Sequence, residues 1–175
     1  MFPQNTHIRP VNIIGHRGVP SLAPENTVAG ALLAASKGAN IIENDVYLTT
    51  DGVVVVMHDG AIDRTTNGSG GVESMSYAQL KQYRVDYYSG YSEPIPTLED
   101  YFKAFKGTGV NLFIEIKSQK PEIIPAIKTL IDKAKLNAEV SYTAESVMVR
   151  IRCGWKPAPP EVLHQTRENE PDMHV

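Results

Sequence analysis

The chain has 175 residues, 42% of them hydrophobic and 21% charged, enough apolar side chain for one globular core and too little charge for intrinsic disorder. A formal net charge of -3 supplies no basic stripe of the kind nucleic acid requires, and no window approaches the ~20 apolar residues of a membrane span. The single cysteine, Cys153, rules out an internal disulfide framework and reads as a small buried apolar residue.

Residues Met1 to Pro10 contain no apolar signal core, so the cytoplasm is the expected setting. Val11 to Gly15 is a short apolar run ending in glycine, which predicts a buried strand. His16-Arg17-Gly18 follows as a turn, then Pro24-Glu25-Asn26-Thr27. Ala29 to Lys37 is rich in alanine and leucine and is closed by Gly38, as a helix would be. Asn40 to Leu48 is a strand with a polar interruption, Thr49 to Gly52 a turn, and Val53 to Met57 a buried strand of four valines and a methionine.

Asp59 to Gly71 is rich in glycine and threonine and reads as a loop. Ser76 is placed to cap a short helix to Tyr83, and Thr97 to cap another through Phe105, with Asp100 in the capping-box position. Asp86 to Pro96 between them reads as a loop. Asn111 to Ile116 is a strand. Pro121 to Lys135 has helical periodicity, with Pro125 near the first turn where proline costs least. Ala138 to Tyr142 predicts a fifth strand and Ala144 to Arg152 a further helix. Beyond it, Lys156 to Pro160 holds three prolines, and the polar stretch to Val175 has no pattern, so residues 153–175 read as a loosely ordered tail after a domain of residues 1–152. Strands alternating with helices predict an α/β fold with a mostly parallel sheet.

Several polar residues interrupt or end these apolar strands. Glu43 and Asp45 stand two apart in Ile42-Glu43-Asn44-Asp45-Val46 and so share one face of their strand. Alone, the pair suits a solvent-facing strand edge as well as it suits a hard cation such as Mg²⁺ or Ca²⁺. Glu115 and Lys117 likewise share a face, and alone they read as an ion pair. A two-residue turn of Thr50 and Asp51 would set Glu43 opposite His58. A lone His58 would read as a capping or packing residue. His16 is a side chain suited to moving protons near neutral pH, and Arg17 offers a planar fork for a phosphate. Asn26 and Thr27 read as helix caps, Glu25 as a residue that could orient His16 or Arg17, and Arg64-Thr65-Thr66 as a brace for the loop after His58. His7, His164 and His174 lie in terminal segments and read as surface residues. No Gly-x-Ser-x-Gly elbow is present, which disfavours a serine hydrolase.

Taken in order, Gly15-His16-Arg17-Gly18, Pro24-Glu25-Asn26-Thr27, Ile42-Glu43-Asn44-Asp45-Val46, Thr50-Asp51-Gly52, His58-Asp59, Arg64-Thr65-Thr66, Pro96-Thr97-Leu98-Glu99 and Glu115-Ile116-Lys117 resemble the glycerophosphodiester phosphodiesterase family. The resemblance covers about residues 11–150. It implies a TIM-type (β/α) barrel of the phospholipase C-like kind, with a small insertion after the third strand at about residues 59–110. It also implies cleavage of glycerophosphodiesters to glycerol 3-phosphate and an alcohol. His16 and His58 would be the acid–base pair, Glu43, Asp45 and Glu115 the ligands of one Mg²⁺ or Ca²⁺, and Arg17 and Lys117 the phosphate contacts. A complete barrel of this type needs ~250 residues. The expectation is therefore an incomplete barrel of about five strands, apparently truncated at its C-terminus. It would be a working enzyme, a weakly active metal- or phosphate-binding remnant, or a homo-oligomer that closes the barrel between copies.

Overall fold

The computed structural model describes residues 11–142 and 147–154. The expectations for residues 1–10, for the first part of the helix at 144, for the tail from 155 onward and for His7, His164 and His174 lie outside the described residues. The elements run β1 (Ile14–Gly15), α1 (Val28–Ser36), β2 (Ile41–Leu48), β3 (Val54–Val56), a single 3₁₀ turn (Val72–Ser74), α2 (Tyr77–Leu80), β4 (Arg84–Val85), β5 (Glu93–Pro94), α3 (Leu98–Phe105), β6 (Asn111–Ile116), α4 (Ile123–Ala134), β7 (Asn137–Tyr142) and β8 (Val147–Arg152).

Helix starts follow the capping chemistry. Thr27 Oγ1 accepts the Gly30 N–H at 3.1 Å and so opens α1. Ser76 with Gln79, and Thr97 with Asp100, form reciprocal capping boxes that open α2 and α3. Pro125 falls in the first turn of α4, where its missing N–H has no intrahelical partner to lose.

The main sheet has the order β1-β2-β6-β8-β7, with β3 also on β2. β1 pairs with the start of β2 and β3 with its end, so the two share one edge in tandem. Only β1–β2 and β2–β6 are parallel; β2–β3, β6–β8 and β8–β7 are antiparallel. Two expectations are corrected here. The sheet is mixed, and the predicted helix ending at Arg152 is strand β8. Val147, Val149 and Ile151 alternate with Met148, Arg150 and Arg152, a period of two that buries Val149 and Ile151 and favours β-branched residues in a strand. The fold is an incomplete α/β barrel: among the described residues six strands form an open sheet, with a separate β4–β5 ribbon.

One face of the sheet is apolar and is covered by α1, α3 and α4. Ile42, Val46, Leu112, Ile114, Val149 and Ile151 meet Ala31, Ala34, Tyr101, Phe102, Phe105, Ile123 and Ile127 there. Full burial of each large side chain contributes about 1.5–3 kcal/mol. A second cluster, Val55, Met57, Ile62, Val72, Leu80, Val85 and Ile95, lies under the segment that follows β3. It packs on the face opposite to α1 and α3, since Val55 and Met57 alternate with Val54 and Val56. Helix α3, within the span read as an insertion, packs into the main core instead. Among the described residues no helix is long and apolar enough to cross a membrane.

Asn44 sits on the helix-covered face between Ile42 and Val46, fully buried, with both amide atoms unpartnered among the described residues. An unsatisfied buried amide costs about 1–3 kcal/mol. Asn44→Leu is therefore expected to raise the urea midpoint by an equivalent amount; an unchanged or lower midpoint contradicts this.

Candidate active site

The opposite face of the sheet carries the polar residues. β2 runs parallel to β6 with Asp45 beside Glu115 and Glu43 two pairs below, beside Phe113. Alternation places Glu43, Asp45 and Glu115 on one side, and one carboxylate oxygen from each lies within 4.8 Å of the other two. Glu43 and Asp45 are buried. Glu43 Oε1 has no hydrogen-bond partner among the described residues. Three converging carboxylates, one with an unsatisfied buried oxygen, fit a hard divalent cation, whose preferred donors are oxygens.

The loop after β1 closes over this trio. Gly15 pairs with Ile42, so the next residue, His16, emerges level with Glu43. Its Nε2 lies 3.7 Å from Glu43 Oε2, and its side chain is largely exposed. Arg17 donates its backbone N–H to the same oxygen at 2.9 Å, and its Nε lies 3.6 Å from Asp45 Oδ2. Arg17 has a left-handed backbone, φ 54°, a conformation that costs an L-residue about 1–2 kcal/mol. Gly18 follows at φ 91°, and any Cβ there would stand 2.9 Å from the Gly30 carbonyl carbon. Only glycine lets α1 approach this turn so closely. Lys117, just past β6, places Nζ 2.8 Å from Glu115 Oε1 and 3.5 Å from Asp45 Oδ1.

His58 stands past the end of β3. Its register differs from the expected one. Leu48 pairs with Val54 and Thr49 takes the Val53 carbonyl, so the turn has three residues, with Gly52 left-handed at φ 78°. That shifts the pairing by one, and Met57 N–H reaches Asp45 O. His58 is therefore not opposite Glu43. It joins the site through side chains: Nδ1 is 2.6 Å from Asp59 Oδ1, and Arg64 links Asp59 to Glu25. Glu25 Oε1 in turn lies 3.4 Å from Arg17 Nη1.

Burial raises the Glu43 carboxyl to about 7, with repulsion from Asp45 and Glu115 adding to the effect and the Arg17 N–H opposing it. The Arg64 hydrogen bond holds Asp59 down to about 2, with His58 contributing, and the same guanidinium lowers Glu25. For Lys117, burial is outweighed by Glu115 and Asp45, and its pKa is raised.

Some contacts were not evident in the sequence. Asn26, read as a helix cap, instead gives Nδ2–H to Asp45 Oδ2 at 2.9 Å and is buried, while Thr27 is the cap. Its φ of 53° is one that asparagine tolerates. A polar amide directly before the capping Thr27 was the available signal. Cys153 is buried, with its thiol pushed up to about 12, as befits an inert core residue.

Residues 16–172 match the model of the glycerophosphoryl diester phosphodiesterase family. Glycerophosphodiester phosphodiesterase 1 of Homo sapiens is 29% identical over 171 residues, covering 93% of this chain and 47% of the human protein. The glycerophosphodiester phosphodiesterase of Caldanaerobacter subterraneus subsp. tengcongensis is 41% identical over 109 residues, 61% of this chain and 45% of that one. Among solved structures, the Agrobacterium tumefaciens glycerophosphodiester phosphodiesterase superposes with a TM-score of 0.66 at 34% identity, covering 72% of this chain and 54% of that one. An Oleispira antarctica phosphodiesterase, solved with the product sn-glycerol-3-phosphate, gives 0.64 at 32%, covering 71% of this chain and 53% of that one. The chain thus spans about half the length of the curated relatives it matches. With a family model that matches most of its length, the chain belongs to the glycerophosphoryl diester phosphodiesterase family.

Proposed function

We propose that this protein hydrolyses glycerophosphodiesters to glycerol 3-phosphate and an alcohol, with Glu43, Asp45 and Glu115 holding one Mg²⁺ or Ca²⁺ and His16 and His58 moving the protons. The observation that carries this reading is the meeting of three carboxylate oxygens within 4.8 Å beside His16. The ion, when bound, supplies positive charge against the phosphoryl oxygens.

The chain's own residues account for the rest. A phosphodiester carries a negative charge that repels nucleophiles. The guanidinium of Arg17 and the ammonium of Lys117 flank the carboxylates and would offset that charge as it grows on the phosphoryl oxygens. One histidine takes the proton of the attacking hydroxyl, either the glycerol 2-hydroxyl or a water. The other gives a proton to the leaving alcohol oxygen as its P–O bond breaks. Attack by water gives glycerol 3-phosphate at once, whereas attack by the 2-hydroxyl leaves a five-membered cyclic phosphate that water, deprotonated in the same way, then opens to glycerol 3-phosphate.

The test is direct. The purified protein with Mg²⁺ or Ca²⁺ is expected to release glycerol 3-phosphate from glycerophosphocholine, and EDTA to stop the release. One observation favours a second reading. The described strands form an open sheet, so a cation- and phosphate-binding protein of the same family with little turnover is the alternative. Cation binding without release from any glycerophosphodiester would establish that alternative.

A further inference from the structure

We infer that Arg64 is a positioning residue that sets the tautomer and orientation of His58 and locks the loop bearing it to the loop bearing His16 and Arg17. The significance of this role for turnover rests on the phosphodiesterase reading above; the geometry does not. Arg64 and Glu25 are separated by 39 residues, yet the guanidinium meets the carboxylate with both terminal nitrogens, at 2.7 and 2.9 Å. Its third nitrogen, Nε, donates to Asp59 Oδ2 at 2.6 Å. One planar fork therefore holds two carboxylates from two loops at once, which an ammonium on a flexible stem does not reproduce.

Each carboxylate has a second engagement on the side of the site. Asp59 uses its other oxygen, Oδ1, to accept Nδ1–H of His58 at 2.6 Å. An acceptor fixed at Nδ1 puts the proton there and leaves Nε2 with a free lone pair facing away from Asp59. Glu25 reaches Arg17 Nη1 at 3.4 Å, and Arg17 reaches Asp45. The chain His58–Asp59–Arg64–Glu25–Arg17 thus runs from one histidine to the residue next to the other. Tyr47 adds a second restraint, its hydroxyl donating to the His58 carbonyl oxygen at 3.4 Å.

A bare surface ion pair would have no such consequence. Arg64 is half exposed and Asp59 one-third exposed, conditions under which such pairs add little to stability. The worth of the contact lies in where it leaves the imidazole. Without Arg64, the Asp59 carboxylate is free to turn toward solvent, and His58 loses the fixed acceptor that selects its tautomer.

Imidazole nitrogen shifts from ¹⁵N–¹H correlation spectra of the metal-free protein at pH 8 test this, with His58 assigned by its absence from a His58→Gln sample. The wild type is expected to show His58 as the Nδ1–H tautomer. In Arg64→Ala and Arg64→Lys it should relax to a mixture, with the backbone amide signals of α3 and α4, which pack in the main core, unmoved as the sign of an intact fold. Where turnover is measurable, both variants are expected to lose about 10–100-fold in kcat with little change in KM. A His58 tautomer unchanged in both variants overturns the inference, whatever the rates. A tautomer shift in a protein with no wild-type turnover upholds the positioning role and counts against the catalytic reading alone.

Discussion

Replacing Glu43 with glutamine is expected to raise the thermal stability of the metal-free protein at pH 8 while removing the extra stability that Mg²⁺ or Ca²⁺ confers. The gain follows from burial. Folding raises the Glu43 carboxyl from 4.5 to about 7, first through burial and then through repulsion from Asp45 and Glu115. Above that value the folded protein holds a buried charge that the unfolded chain exposes to water. The contribution of Glu43 to stability is therefore undiminished below 4.5, falls as pH rises toward 7, and stays low beyond. The interval corresponds to roughly 3 kcal/mol as an upper bound. Glutamine cannot ionise, so the variant escapes that slope. It also removes one of the three proposed anionic ligands, and a cation present at ~100 times its dissociation constant adds about 2.7 kcal/mol to whatever binds it. Because the ligands bind as carboxylates, cation affinity in the wild type should climb with pH up to about 7 and then level, with a proton released on binding below that pH. Calorimetric melts at pH 5 and pH 8, with Mg²⁺ and with EDTA, give all four comparisons. A variant that keeps the full cation-induced shift, or that is less stable than wild type at both pH values, contradicts the role assigned to Glu43.

His16→Ala and His58→Ala are each expected to lower turnover of glycerophosphocholine by about 10²–10⁴-fold without loss of cation binding. His16 is two-thirds exposed and makes its contact with Glu43 from the rim, so its removal opens no cavity in the core. His58 is more enclosed, 28% exposed, but its partner is Asp59 rather than any of the three acids. Two groups acting in one proton relay do not contribute independently, so the double variant should be little slower than the worse single one. Steady-state rates paired with calorimetric Mg²⁺ titrations separate the two functions. A variant with the wild-type rate removes that histidine from the mechanism.

Much of this was legible locally. Alternation along Ile41–Leu48 and Asn111–Ile116 was enough to set Glu43, Asp45 and Glu115 on the face away from the apolar core. Thr97 with Asp100 marked the start of α3 to the residue, because a capping box is written within four positions. What failed depended on context. Gly52 in the left-handed region lengthens the turn by one residue, and a shift of one moves His58 off the position opposite Glu43. A helix was expected from Ala144 to Arg152, but Val149 and Ile151 have buried sheet partners in β6, and that pairing sets the segment from Val147 as a strand. The Glu25–Arg64 fork and the Asn26–Asp45 bond join residues 39 and 19 positions apart, and no local pattern announces either.

A single cation seated among residues of β2 and β6 is the centre of the proposed chemistry, and anomalous scattering from crystals soaked in Mn²⁺ tests it most directly. One peak is predicted at coordinating distance, ~2.0–2.4 Å, from oxygens of Glu43, Asp45 and Glu115 together. A peak held by other residues, or none at this trio in crystals that bind Mn²⁺ elsewhere, would contradict it.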